Sequence, residues 1–220
     1  MKTKLFLVTN VFLLAGVFAC FAQSPKDFDL RGNAENAAVL NEQGTKFVKS
    51  GDYEKAIEKF KAALIVQPDY AVAFNNLGVA YNRTGRFDEA IAFLRKAVLL
   101  MPRYTEAYFN LGCAYNSAGQ YEKAENAFRQ AIEFEPKFAR AYNNLGVAYA
   151  QMGKHEKAIA SYSQALAVEP NDSCYYNNLA TSLFETGKRK ESVALLEQAV
   201  KLNPDFKQAR FNLGVVYLAL

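Results

Sequence analysis

From Ala37 to Leu220 the apolar residues recur three and four apart, pause at a glycine or a proline, and resume, on a beat of 34 residues. Counting each unit from Ala37, Ala71, Thr105, Ala139, Ser173 and Lys207, position 4 carries Leu40, Phe74, Tyr108, Tyr142 and Tyr176. Position 7 reads Gln43, Leu77, Leu111, Leu145, Leu179 and Leu213, and position 11 reads Phe47, Tyr81, Tyr115, Tyr149, Leu183 and Tyr217. Positions 4, 7, 8 and 11 share one face of a helix. A second helix follows, with small residues at position 20 (Ala56, Ala90, Ala124, Ala158, Ser192) and position 27 (Ala63, Ala97, Ala131, Ala165, Ala199) around a large one at position 24 (Phe60, Leu94, Phe128, Tyr162, Leu196). The pattern predicts a helix pair in each unit and no strands.

Glycine and proline punctuate the same beat. Pro68, Pro102, Pro136, Pro170 and Pro204 stand where each second helix must end. Gly51, Gly85, Gly119, Gly153 and Gly187 close the first helix, as left-handed residues past a helix end commonly do. Gly44, Gly78, Gly112, Gly146 and Gly214 fall at position 8, where a missing side chain lets the two helices approach. One helix pair cannot bury its apolar face alone, so the units must stack.

Residues 37–220 resemble the tetratricopeptide repeat. The resemblance implies an all-α, right-handed α-solenoid of five full helix pairs plus a terminal helix, working as a protein-binding scaffold. Repeat five departs at Ala180, Leu183 and Ser192, each still small or apolar. Repeat one carries Gln43 at an inner position and reads as a solvent-facing end. Repeat six has only its first helix, with Arg210 at position 4 and an apolar end of Val216, Leu218 and Leu220. A partner covering that end and a longer native chain are both open readings.

At roughly 100° per residue, positions 2, 6, 9 and 13 point about 140–180° away from position 4, into the groove lined by the first helices of the stack. Position 6 holds Asn76, Asn110, Asn144, Asn178 and Asn212, a residue that is a mediocre helix former. An amide both donates and accepts, so it suits the backbone of a bound chain whatever that chain's sequence. Helices about 8–10 Å apart would offer one such rung every third residue of an extended peptide, about 10–12 residues in all. The series looks like the asparagine ladder in the tetratricopeptide superhelix of O-linked N-acetylglucosamine transferases, where the ladder holds peptide backbone. The alternative is that each Asn bonds a neighbouring helix. Position 5 adds Asn75, Asn143 and Asn177 as candidate peptide-binding residues, interrupted by Phe109 and Phe211, and Glu42 breaks the ladder in repeat one. The Lys-rich carboxylate clamp of chaperone-binding members is not visible.

The first 19 residues stand apart. Lys2 and Lys4 precede an apolar run from Leu5 to Phe18, the layout of an export signal and too short for a bilayer span. Val17-Phe18-Ala19-Cys20 resembles a bacterial lipobox, which would make Cys20 an acylated first residue. Ordinary cleavage after Ala22 is the alternative. Residues 20–36 then read as a linker, and the location as periplasmic or lipid-anchored to the envelope.

Charge and chemistry exclude more than they add. The net charge of +4 falls by two without Lys2 and Lys4, and no basic stripe marks a nucleic-acid partner. The one histidine, His155, takes a packing position where Tyr53, Phe87 and Tyr121 stand in other repeats. Cys113 and Cys174 match no metal spacing and sit two repeats apart, so they are expected to be unbridged. No catalytic residues, metal ligands or cofactor motif emerge. The expected function is an envelope scaffold binding an extended peptide or partner protein in its groove, with self-association through the apolar C-terminal helix as the alternative.

Overall fold

The computed structural model describes residues 30–220. The expected export signal, the lipobox-like string with Cys20 and the alternative cleavage after Ala22 lie outside those residues. Eleven α-helices follow one another among the described residues: α1 Leu30–Ser50, α2 Tyr53–Val66, α3 Ala71–Arg83, α4 Phe87–Leu100, α5 Thr105–Ser117, α6 Tyr121–Phe134, α7 Ala139–Gln151, α8 His155–Val168, α9 Ser173–Glu185, α10 Arg189–Leu202 and α11 Lys207–Leu218. They form five antiparallel pairs and a lone terminal helix. Five of the six expected first-helix starts, from Ala71 onward, coincide with the observed ones. The exception is α1, which begins at Leu30 rather than Ala37, so the last residues read as linker are helical. Pro25 is the last proline before Pro68, so none interrupts the segment.

Gly51, Gly85, Gly119, Gly153 and Gly187 all have φ between 70° and 81° and turn the chain from the first helix of each pair into the second. Position 8 works by absence. A Cβ built on Gly78 would lie 2.5 Å from Leu94, on Gly112 2.5 Å from Phe128, and on Gly146 2.5 Å from Tyr162. Gly44 faces Phe60 in the same way. Each large residue of the second helix therefore fills the space that a side chain on the first would need. Phe60, Leu94, Phe128 and Leu196 are fully buried there, and burial of each such side chain contributes about 1.5–3 kcal/mol. In repeat five Ala180 takes the glycine's place, and the buried Ser192 hydroxyl donates to the Ala180 carbonyl at 2.8 Å, which satisfies a polar group in the core.

Stacking is asymmetric. Each first helix touches the next first helix (α1 with α3, α3 with α5, α5 with α7, α7 with α9, α9 with α11), whereas no second helix touches the next second helix. The stack therefore curves with α1, α3, α5, α7, α9 and α11 inside. Ala73, Ala107, Ala141 and Ala209 at position 3 are fully buried where these inner helices meet.

One polar cluster ties repeat three to repeat four. Arg129 Nη2 donates to Tyr149 Oη at 2.8 Å, Tyr149 Oη donates to Glu125 Oε1 at 2.7 Å, and Arg129 Nε donates to Glu125 Oε1 at 3.1 Å. Burial pushes the Glu125 carboxyl up, but the bonds from Tyr149 and Arg129 outweigh it and hold the group below its usual range. A carboxyl lowered on folding adds stability above its unfolded pKa, near ~4.3, and loses it as pH falls through the folded value. Tyr149→Phe is expected to lower unfolding free energy by about 2 kcal/mol at neutral pH. Urea titrations at a series of acidic pH values should show a smaller acid-induced loss in the variant than in the parent chain.

Candidate functional site

The inner helices bring the predicted groove positions together. Glu106 and Arg140 (position 2), Asn76 and Asn110 (position 6), Val79 and Cys113 (position 9) and Arg83 (position 13) all line one cleft of about 560 Å³ spanning repeats two to four. Asn75, Asn82, Tyr104 and Phe109 complete its wall. The lining is amide-rich, with Val79, Phe109 and Cys113 as its apolar patches and Arg83, Glu106 and Arg140 as its charges.

The asparagines are already at work within the chain. Asn76 Nδ2 donates to Asn41 Oδ1 at 3.0 Å, and Asn110 Nδ2 donates to Asn75 Oδ1 at 2.9 Å. Asn178 Nδ2 donates to Asn143 Oδ1 at 3.0 Å, and Asn212 Nδ2 donates to Asn177 Oδ1 at 2.8 Å. Each rung thus reaches back one repeat to the position-5 amide. Within a repeat, Asn75 Nδ2 donates to Asn76 Oδ1 at 3.2 Å and Asn177 Nδ2 to Asn178 Oδ1 at 3.3 Å. Asn75 and Asn177 are buried, so they orient the rungs rather than present themselves to a ligand. Asn41, absent from the sequence-level candidates, anchors the first rung. Its position-5 place in repeat one, in register with Asn75, Asn143 and Asn177, was the available signal.

Two relays result, broken at the middle. Phe109 occupies position 5 of repeat three and packs on Phe138 with ring centroids 5.0 Å apart. Arg140 lies over both rings, 5.0 Å from Phe109 and 5.1 Å from Phe138, and pairs with Glu106 at 3.4 Å. Asn144 finds no amide in repeat three and turns onto its own helix, donating to the Arg140 carbonyl at 2.9 Å. It is the one rung uncommitted to a neighbouring repeat. The backbone carbonyl of Asn144 accepts from Asn116 Nδ2 at 3.3 Å. The Oδ1 atoms of Asn82 and Asn116 are buried without a partner among the described residues.

Cys113 and Cys174 are both free thiols. Burial, with the Glu106 carboxylate beside it, pushes the Cys113 thiol up to about 12, so it is not a nucleophile at neutral pH. His155 opens α8, and its Nδ1 lacks a partner among the described residues. Among those residues no cluster of three or more His, Cys, Asp or Glu could hold a metal ion, and no helix is long and apolar enough to cross a membrane.

The family model described as Cilia and flagella-associated protein 70 C-terminal domain matches residues 18–220. A crystal structure of MamA protein is 29% identical, with a TM-score of 0.68 over 77% of this chain and 93% of that one. A thermophilic TPR protein in Thermus thermophilus is 25% identical, with a TM-score of 0.67 over 83% of this chain and 99% of that one. YrrB, described as a TPR protein with an unusual peptide-binding site, shares the fold at 18% identity, with a TM-score of 0.66 over 86% of this chain and 98% of that one. No curated protein matches the sequence significantly.

The relay separates the rungs energetically. Asn76→Ala and Asn178→Ala each strip a bond between repeats and are expected to cost about 1 kcal/mol, whereas Asn144→Ala, half-buried with its side chain bonded only to its own turn, should be neutral within about 0.5 kcal/mol. Chemical denaturation of the three single variants measures the difference.

Proposed function

Because the chain belongs to the tetratricopeptide-repeat family described by the Cilia and flagella-associated protein 70 C-terminal domain, a family of protein-interaction scaffolds, we propose that it binds an extended peptide segment of a partner protein along the inner groove. The observation that carries this reading is the register of Asn76, Asn110 and Asn144 on successive inner helices, the first two lining an amide-rich cleft. Bonding between repeats does not exhaust these amides. Asn76 and Asn110 each spend one N–H on the previous repeat, and each keeps a second N–H and a free lone pair. The bond to the neighbour fixes the amide plane before a ligand arrives, which lowers the ordering cost of binding. Asn144 is free to swing into the groove at the cost of one bond to its own helix.

The test is affinity for extended peptides selected from a random displayed library. Binders of the parent chain should lose about tenfold or more in affinity for the Asn110→Ala/Asn144→Ala chain, the worth of two backbone bonds. Equal affinity, with helix content unchanged, would sink the groove reading.

We further propose that the scaffold is exported and anchored through Cys20. That reading is supported by Lys2, Lys4, the apolar run from Leu5 to Phe18 and the lipobox-like string alone. Cells fed a labelled fatty acid should mark the parent chain and not Cys20→Ser. An unlabelled, membrane-free parent chain contradicts the anchor.

A further inference from the structure

The two ends of the stack are unlike. At the first end, the outward face of α1 carries Glu42, Lys46 and Lys49, all exposed, beside Val39 at 47% exposure, with Lys46 Nζ 2.8 Å from Glu42 Oε1. At the last end, α11 carries Phe211, Val215 and Leu218, with exposures of 68%, 40% and 93%. With Gly214 these occupy i, i+3, i+4 and i+7, one continuous stripe. A solvated terminal repeat needs a polar outer face; α1 has one and α11 does not.

Interior repeats show what the stripe lacks. Phe211 holds the position that Phe109 holds in repeat three, where Phe128, Phe138 and Arg140 pack on it and its exposure is 7%. Gly78, Gly112 and Gly146 each leave space that a neighbouring helix fills to within 2.5 Å of an added Cβ, whereas around Gly214 nothing lies within 4 Å. In the interior repeats the second helix of the same repeat covers this face; on α11 no described residue does.

We infer that the α11 stripe pairs with α11 of a second copy of this chain, antiparallel about a twofold axis, with the two Gly214 residues at the crossing. Three observations favour a like partner over continued head-to-tail stacking. Head-to-tail stacking would set Glu42, Lys46 and Lys49 onto Phe211, Val215 and Leu218, which desolvates charge against an apolar face. An isologous contact instead matches apolar to apolar and closes, so it ends at a dimer. Antiparallel pairing also sets Lys207 and Arg210, at the start of one helix, beside the last turn of the other, whose carbonyls carry partial negative charge. The inference goes beyond the groove reading and does not depend on it.

Sedimentation equilibrium of the full chain, from low to high micromolar concentration, decides it. The parent chain is expected to reach the mass of two chains. Leu218→Lys should stay at one chain with unchanged helix content. Gly214→Ala is the sharper variant. In a single chain its methyl meets open space and Ala favours the helix, so folding is preserved. At a helix crossing the same methyl overpacks and should weaken the dimer by about tenfold. A parent chain of single mass throughout overturns the proposal. So does a dimer indifferent to either substitution, as association through residues 1–29 would give, and so does a single-mass chain whose α11 amides are protected from hydrogen exchange by those residues.

Discussion

The stack depends on one steric relation, a large side chain on the second helix of each pair seated where the first helix has a glycine or, in the fifth pair, only an alanine. Phe60, Leu94, Phe128 and Tyr162 each lie against a glycine, so the two backbones come close along a line that an added Cβ would crowd. Small residues at positions 20 and 27 extend the same close approach from the other side. Once the pair is locked, the orientation of the remaining faces follows. One face meets the next repeat, one faces solvent, and positions 2, 6, 9 and 13 are left to line the groove. The groove's chemistry is thus a by-product of where glycine sits.

The fold was legible because it is repeated. A 34-residue beat averages out local ambiguity, and the five left-handed glycines stand where the sequence pattern put them. Boundaries from Ala71 onward followed for the same reason. The start of α1 did not, because no repeat precedes it to set a register and Gly32 does not stop a helix that no proline interrupts.

The site was legible in direction and not in detail. Helical geometry alone put Asn76, Asn110, Val79 and Cys113 on one surface, and they share a cleft. That four of the five rungs would spend a donor on the repeat behind them needed coordinates, because position 5 of one repeat and position 6 of the next are 35 residues apart and meet only through packing. The two sequence readings of the asparagines, a bond to a neighbouring helix and a grip on a bound backbone, prove compatible, because a primary amide has donors and lone pairs for both. Phe109 mattered most and was read only as an interruption. By replacing an amide with a ring it draws Arg140 over the aromatic pair and leaves Asn144 without a neighbour.

The inner helices touch in an unbroken row and the outer helices do not touch one another at all. Mechanically, such an array resembles a book held by its spine. The spine fixes the order and spacing of the leaves, and each outer helix also rests on the inner helix that follows it, so opening the stack loosens a contact at every repeat. Any change in the radius of the groove is then shared among many shallow contacts rather than concentrated in one hinge.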